Sequence, residues 1–163
     1  LESTNFPQVD PGPHTMMIGV PERDNITKLS WLLTRASGYI GFITDKNSTF
    51  MDSILDMRPV VGSILSHGLA FADSVENTNA LPATMAHGMG APYAAIDIWI
   101  DETATQESIR ASLEQLEKKA KEHGTAAGII HALPVSYQEI SRWLGTLDEK
   151  GFTLAPLSAQ TGQ

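Results

Sequence analysis

The chain has 163 residues, 42% of them apolar and 18% charged, with no cysteine and a formal net charge of −8. That length and apolar content suit one folded domain rather than a disordered chain. The acidic balance argues against a nucleic-acid or anionic-membrane surface, which needs clustered Lys and Arg, and the missing cysteine excludes disulfides, thiolate zinc sites and thiol nucleophiles.

Taken in chain order, Pro7, Pro11, Gly12 and Pro13 mark an extended opening loop, and Met16 to Val20 reads as a candidate short strand. Asp24 or Asn25 is placed to cap a helix whose Ile26, Leu29, Leu32 and Leu33 recur at helical spacing, with Gly38 as its stop. Tyr39 to Ile43 is a short buried-strand run, followed by the polar turn Thr44-Asp45-Lys46-Asn47. Phe50 to Leu65 gives one or two helices, Pro59 opening the second and Gly68 ending it. Leu69 to Ala72 reads as a strand, Ala80 to His87 as a helix closed by Gly88 and Gly90, and Ala94 to Ile100 as a strand.

The clearest helix follows, at about 105–123. Ile109, Leu113, Leu116 and Ala120 form its apolar stripe, lysines and His123 fill its last turn, and Gly124 stops it. Ala126 to Ile130 is a strand running into His131. Ser136 and Glu139 have the spacing of a capping box at the head of a helix with Ile140, Trp143, Leu144 and Leu147 on its apolar stripe. Gly151 precedes a last strand, Phe152 to Ala155. Apolar strands alternating with amphipathic helices define an α/β chain with a mostly parallel sheet and helices packed on it. At least five of these strands are expected in one sheet or open barrel, with the 105–123 helix on its outside.

Ligands of parallel α/β folds lie beyond the carboxyl ends of the strands, so the residues that follow each strand are the candidates. These are Asp45, Asp73, Ser74, Asp101, His131 and Ser158. Carboxylates and a histidine brought together there suit a divalent cation or acid/base hydrolysis. The five histidines, at 14, 67, 87, 123 and 131, include no pair at the close spacing of a metal-binding motif. No Gly-rich phosphate loop and no Gly-x-Ser-x-Gly elbow occurs. No apolar run approaches the roughly 18 residues of a membrane helix. The chain opens on Leu1 rather than Met, so an export signal upstream would leave no trace in it.

Several segments together resemble the divergent polysaccharide deacetylase family. They are Asp10-Pro11-Gly12-Pro13, Asn25 with Trp31, Gly38-Tyr39-Ile40-Gly41, His67 to Ser74, Asp97-Ile98-Trp99-Ile100-Asp101, Ile130-His131-Ala132-Leu133-Pro134 and Gly151 to Ser158. They run in order over nearly the whole chain. The resemblance implies a distorted (β/α) barrel, incomplete at the N-terminus because relatives carry an Asp-Asp pair on a first strand upstream of Leu1. It therefore implies an open or otherwise covered sheet edge. It further implies a hydrolase that removes N-acetyl groups from polysaccharide in the periplasm or cell envelope with a divalent metal such as zinc. In that picture His131 and Asp73 are catalytic, Asp73, Asp45 and His131 hold the metal, and Ser74, Tyr39 and Asp101 meet the carbohydrate.

This chain has Asp45 where many relatives place a histidine, and His67 where Arg is common. Those departures imply weak zinc binding and slow turnover. The other reading is a non-catalytic domain that keeps the fold to bind glycan or a protein partner.

Overall fold

The computed structural model describes residues 7–8, 10, 12–44, 48–74 and 81–161, without the side chains of Ser74 and Leu81. The chain divides into two compact units, Leu1–Ala94 with Thr161–Gln163, and Ala95–Gln160.

In the first unit, α1 (Glu22–Leu33) begins after Pro21 and not at Asp24 or Asn25. Asn25 is buried, and its amide works on the preceding loop instead of on the helix end. Its Oδ1 accepts from the Met17 N–H at 3.0 Å while its Nδ2 donates to the Met17 carbonyl at 2.9 Å. The expected strand from Met16 to Val20 is therefore a loop, its backbone groups met by a side chain where a neighbouring strand would have met them. A 3-10 turn (Thr49–Asp52) leads to α2 (Ile54–Ser66), whose cap Ser53 accepts from the Asp56 N–H. Pro59 lies inside α2 and does not open a second helix. The buried residues Met57, Val60, Val61 and Ile64 recur at three- and four-residue intervals, so one face of α2 enters the core with Leu29, Phe50, Met51 and Phe71.

The first sheet has three strands in the order β1 (Gly41–Ile43), β2 (Ala70–Ser74) and β3 (Tyr93–Ile96), with β1 parallel to β2. Helix α3 (Leu81–Gly88) precedes β3. Among the described residues β1 is an edge of the sheet, and its last residue Ile43 and the preceding Ile40 are exposed. A cavity of about 430 Å³ lies in this unit, lined by Met16, Leu29, Phe42, Thr44, Phe50 and Val61 among others.

Gly41 faces Ala70 in the β1–β2 register, and a Cβ at position 41 would fall on the Ala70 carbonyl oxygen, which is backbone and cannot swing away. Gly41→Ala is expected to destabilise by about 1–3 kcal/mol, as overpacking of a close contact does. Chemical denaturation, read by the shift in midpoint at unchanged slope, checks it.

In the second unit β4 (Ile98–Trp99) runs parallel to β5 (Gly128–Ile129). Expected as one strand, Ala94 to Ile100 is two, with Asp97 between them. The Asp97 N–H donates to the Ala127 carbonyl at 2.8 Å, and its carboxylate accepts from the Ala127 N–H at 2.9 Å. Among the described residues five strands thus form two sheets of three and two strands, where a single sheet was expected, and both register-defined pairs are parallel.

Helix α4 (Gln106–His123) is the 105–123 helix, capped by Thr105 and closed by Gly124 in the left-handed region at φ +85°. Its Ile109, Leu113 and Leu116 pack with Ile98 and Ile100 and with Val135, Ile140 and Trp143 of α5 (Pro134–Leu144). Residues Phe152 to Ala155 are not a strand: Phe152 turns back through its N–H to the Leu147 carbonyl, and Lys121 lies over its ring at 5.3 Å. No helix among the described residues is long and apolar enough to cross a membrane.

Candidate functional site

Strand β4 continues through Ile100 into Asp101, and β5 into His131, so the parallel pairing carries both residues to the same strand ends. The Ile100 N–H donates to the Ile129 carbonyl at 2.9 Å, which extends the pairing to the step before Asp101. Asp101 then turns its carboxylate inward. Its side chain is 0% exposed, whereas His131 beside it is 57% exposed. The His131 backbone N–H straddles the carboxylate, at 3.1 Å from Oδ1 and 2.9 Å from Oδ2. The imidazole Nδ1 lies 3.0 Å from Oδ1. Ser136, in the first turn of α5, donates its hydroxyl to Oδ2.

These contacts revise two expectations. Asp101, assigned above to carbohydrate, has no exposed side-chain surface with which to meet one; it stands behind His131. Ser136, read as a helix cap, sits inside a helix that already begins at Pro134, and its hydroxyl goes to Asp101. The other half of the supposed capping box, Glu139, is 2% exposed and grips Arg110 and Arg142, each at 2.6 Å.

The electrostatics follow from the same bonds. Burial alone would raise the Asp101 carboxyl, but hydrogen bonds from Ser136 and from the backbone and ring of His131 hold it below the usual carboxylate range. Asp101 is therefore an anion at neutral pH and only accepts, so the imidazole donates from Nδ1. That leaves Nε2 as the nitrogen open to other partners. The Trp99 ring lies 5.2 Å from the imidazole, tilted by 31°.

The remaining candidates are placed as follows. Asp73, in the first unit, is buried at the end of β2, and the Thr44 hydroxyl donates to its Oδ1. Tyr93 in the same unit is pushed up to about 12, by burial first and by the Asp73 charge second. Tyr39 packs against the core of that unit and against Phe42 at 5.7 Å, with its hydroxyl donating to the Leu33 carbonyl at 2.9 Å; this is a packing role. Ser74 closes β2. Asp45 lies outside the described residues, so the ligand set Asp73, Asp45 and His131 is not assembled by what is described. Among the described residues no three His, Asp or Glu side chains form a group that could hold a metal ion.

Three carboxylates set the acid response. Asp101 is held low as above. Glu117 is raised by burial, but hydrogen bonds from Lys150 and Trp143 and the charges of Lys150 and Lys121 outweigh that and lower it. Glu139 is lowered chiefly by its hydrogen bond to Arg110. A carboxyl lower in the folded than in the unfolded chain contributes stability that is fully present above its unfolded value, about 4. That stability disappears as pH falls through the lower folded values. The midpoint of thermal unfolding is therefore expected to be flat from neutrality to about pH 5 and to drop below it. Glu139→Gln is expected to shrink that drop, as followed by circular dichroism.

Comparison with known proteins agrees with this architecture. The model of the family described as divergent polysaccharide deacetylase matches residues 1–161, and the chain belongs to that family. A crystal structure of an uncharacterized protein, ATU2773 from Agrobacterium tumefaciens C58, is similar at 28% identity with a TM-score of 0.90, covering 97% of this chain. The chain spans 64% of the length of that protein. A search of curated proteins found no match.

Proposed function

We propose that this chain works in the hydrolytic removal of acyl groups from an N-acetylated carbohydrate, with His131 as the group that handles the proton. The single observation that carries this reading is an imidazole held from behind by an enclosed carboxylate while its ring faces solvent. Breaking an amide expels an amine, and an amine leaves only when its nitrogen is protonated. As water adds to the carbonyl carbon, His131 takes a water proton on Nε2, and as the C–N bond breaks it delivers that proton from Nε2 to the departing nitrogen, so the ring ends as it began and the carbonyl leaves as acetate. Asp101 keeps Nδ1–H engaged and stabilises the charged imidazole that donates. Asp101 is the positioning residue and His131 the catalytic one. Ser136 donates to a carboxylate and not to an imidazole, which is the wrong partner for a nucleophile. Family membership supports carbohydrate as the substrate.

Acetate release from N-acetylated oligosaccharides, with and without added divalent metal, tests the reading. His131→Asn is expected to lower the rate about 10²–10⁴-fold, the usual contribution of a positioned acid. Release that is indifferent to His131 overturns it. Saturable oligosaccharide binding with no acetate release, in wild type and variant alike, would favour the non-catalytic glycan-binding reading.

A further inference from the structure

Ser136 is fully buried, and its hydroxyl hydrogen bond goes to Asp101 Oδ2 at 2.5 Å. The carboxylate has two oxygens and a soft, roughly two-fold terminal torsion, so something must hold one of them, Oδ1, toward the ring. The His131 backbone N–H holds the group near its midline but does not favour either oxygen, because it sits at nearly equal distance from both, 3.1 and 2.9 Å. The imidazole cannot choose either, since it is the group being placed. Among the described residues that leaves the donor that comes from a different element, the Ser136 hydroxyl in the first turn of α5, which holds Oδ2 and so keeps Oδ1 for the ring. We infer that Ser136 is a positioning residue: through Asp101 it fixes the tautomer and the orientation of His131. This rests on His131 being the reactive group proposed above.

The inference separates from simple filling of a buried hydrogen-bond site. If Ser136 only satisfies a carboxylate oxygen, its loss costs stability and leaves the imidazole as it was. If it positions, its loss frees the carboxylate to turn, and the ring samples both tautomers, with Nε2–H growing at the expense of Nδ1–H.

The experiment is long-range proton–nitrogen NMR of the neutral His131 ring in the wild type, Ser136→Ala, Ser136→Thr and Asp101→Asn, with melting temperatures recorded alongside. Nδ1–H is expected to predominate in the wild type, to give way to a mixture in Ser136→Ala, and to return in Ser136→Thr, which keeps the hydroxyl. Acetate release by Ser136→Ala is expected to fall on the order of tenfold in kcat with KM unchanged, as loss of an orienting partner does.

An unchanged tautomer in Ser136→Ala, whatever its melting temperature, overturns the inference. So does a wild-type ring that is already mixed. Because the NMR signal needs no turnover, it decides on Ser136 even if His131→Asn leaves acetate release untouched, a result that would sink the catalytic role of His131 by itself.

Discussion

Asp101→Asn is expected to lower the acetate-release rate by on the order of a thousandfold while leaving KM within a few-fold. An amide has nearly the shape of the carboxylate, so the pocket stays filled, but it has one accepting end and one donating end. Three donors now point at Asp101: the Ser136 hydroxyl, the His131 backbone N–H and the His131 ring nitrogen. Whichever way the amide turns, its NH₂ meets one of them head on. If it meets the ring, His131 must present Nδ1 as an acceptor and carry its proton on Nε2, the reverse of the arrangement inferred for the wild type. A reversed tautomer behind intact geometry is costly to proton transfer, up to about 10⁴-fold where such a pair has been dissected in other enzymes. If the amide instead meets Ser136, a buried donor loses its acceptor, which costs stability by about 1–3 kcal/mol. Rate and melting temperature measured on one preparation separate the two responses. A rate within a few-fold of wild type would show that the enclosed carboxylate does not govern His131.

Local signals in the sequence were legible where one element settles the matter by itself. Helix α4 is such a case: its apolar stripe, its polar last turn and Gly124 are all read within a single helix, and the observed Gln106–His123 agrees. The alternation of elements likewise carried the parallel pairing, and it placed His131 at the end of a strand.

Errors arose where a side chain had a choice between a local and a distant partner. Ser136 and Glu139 have capping-box spacing, yet Asp101 lies 35 residues from Ser136 and Arg110 lies 29 from Glu139, and those partners won. Asn25 has the chemistry of a cap but spends both ends of its amide on Met17. The Asp101–His131 pair was missed for the same reason. Each residue was noted separately at a strand end, and only the β4–β5 register shows that the two strand ends are neighbours. A parallel reading of the two segments, aligning Ile98 with Gly128, would have found it.

Phe50→Ala is expected to be the most destabilising single truncation in the first unit, at about 3–5 kcal/mol. Phe50 is 1% exposed and belongs to the cluster that holds Leu29, Met57, Val61 and Phe71 together. Removing a buried ring loses its transfer free energy and adds the cost of whatever void the neighbours cannot close. The surroundings here offer little to close it with. Phe50 already lines the cavity of about 430 Å³, so truncation enlarges an existing space, and no loose atoms stand ready to collapse into it. At this chain length each kcal/mol moves the melting temperature by about 2–4 °C, so a fall of roughly 6–20 °C is expected. Leu55→Ala supplies the contrast: Leu55 is equally apolar but 88% exposed, and its loss should fall within about 0.5 kcal/mol. If Phe50→Ala melts as gently as Leu55→Ala, the packing of α2 against the 3-10 turn does not hold this unit together, and the cavity wall is softer than its burial implies.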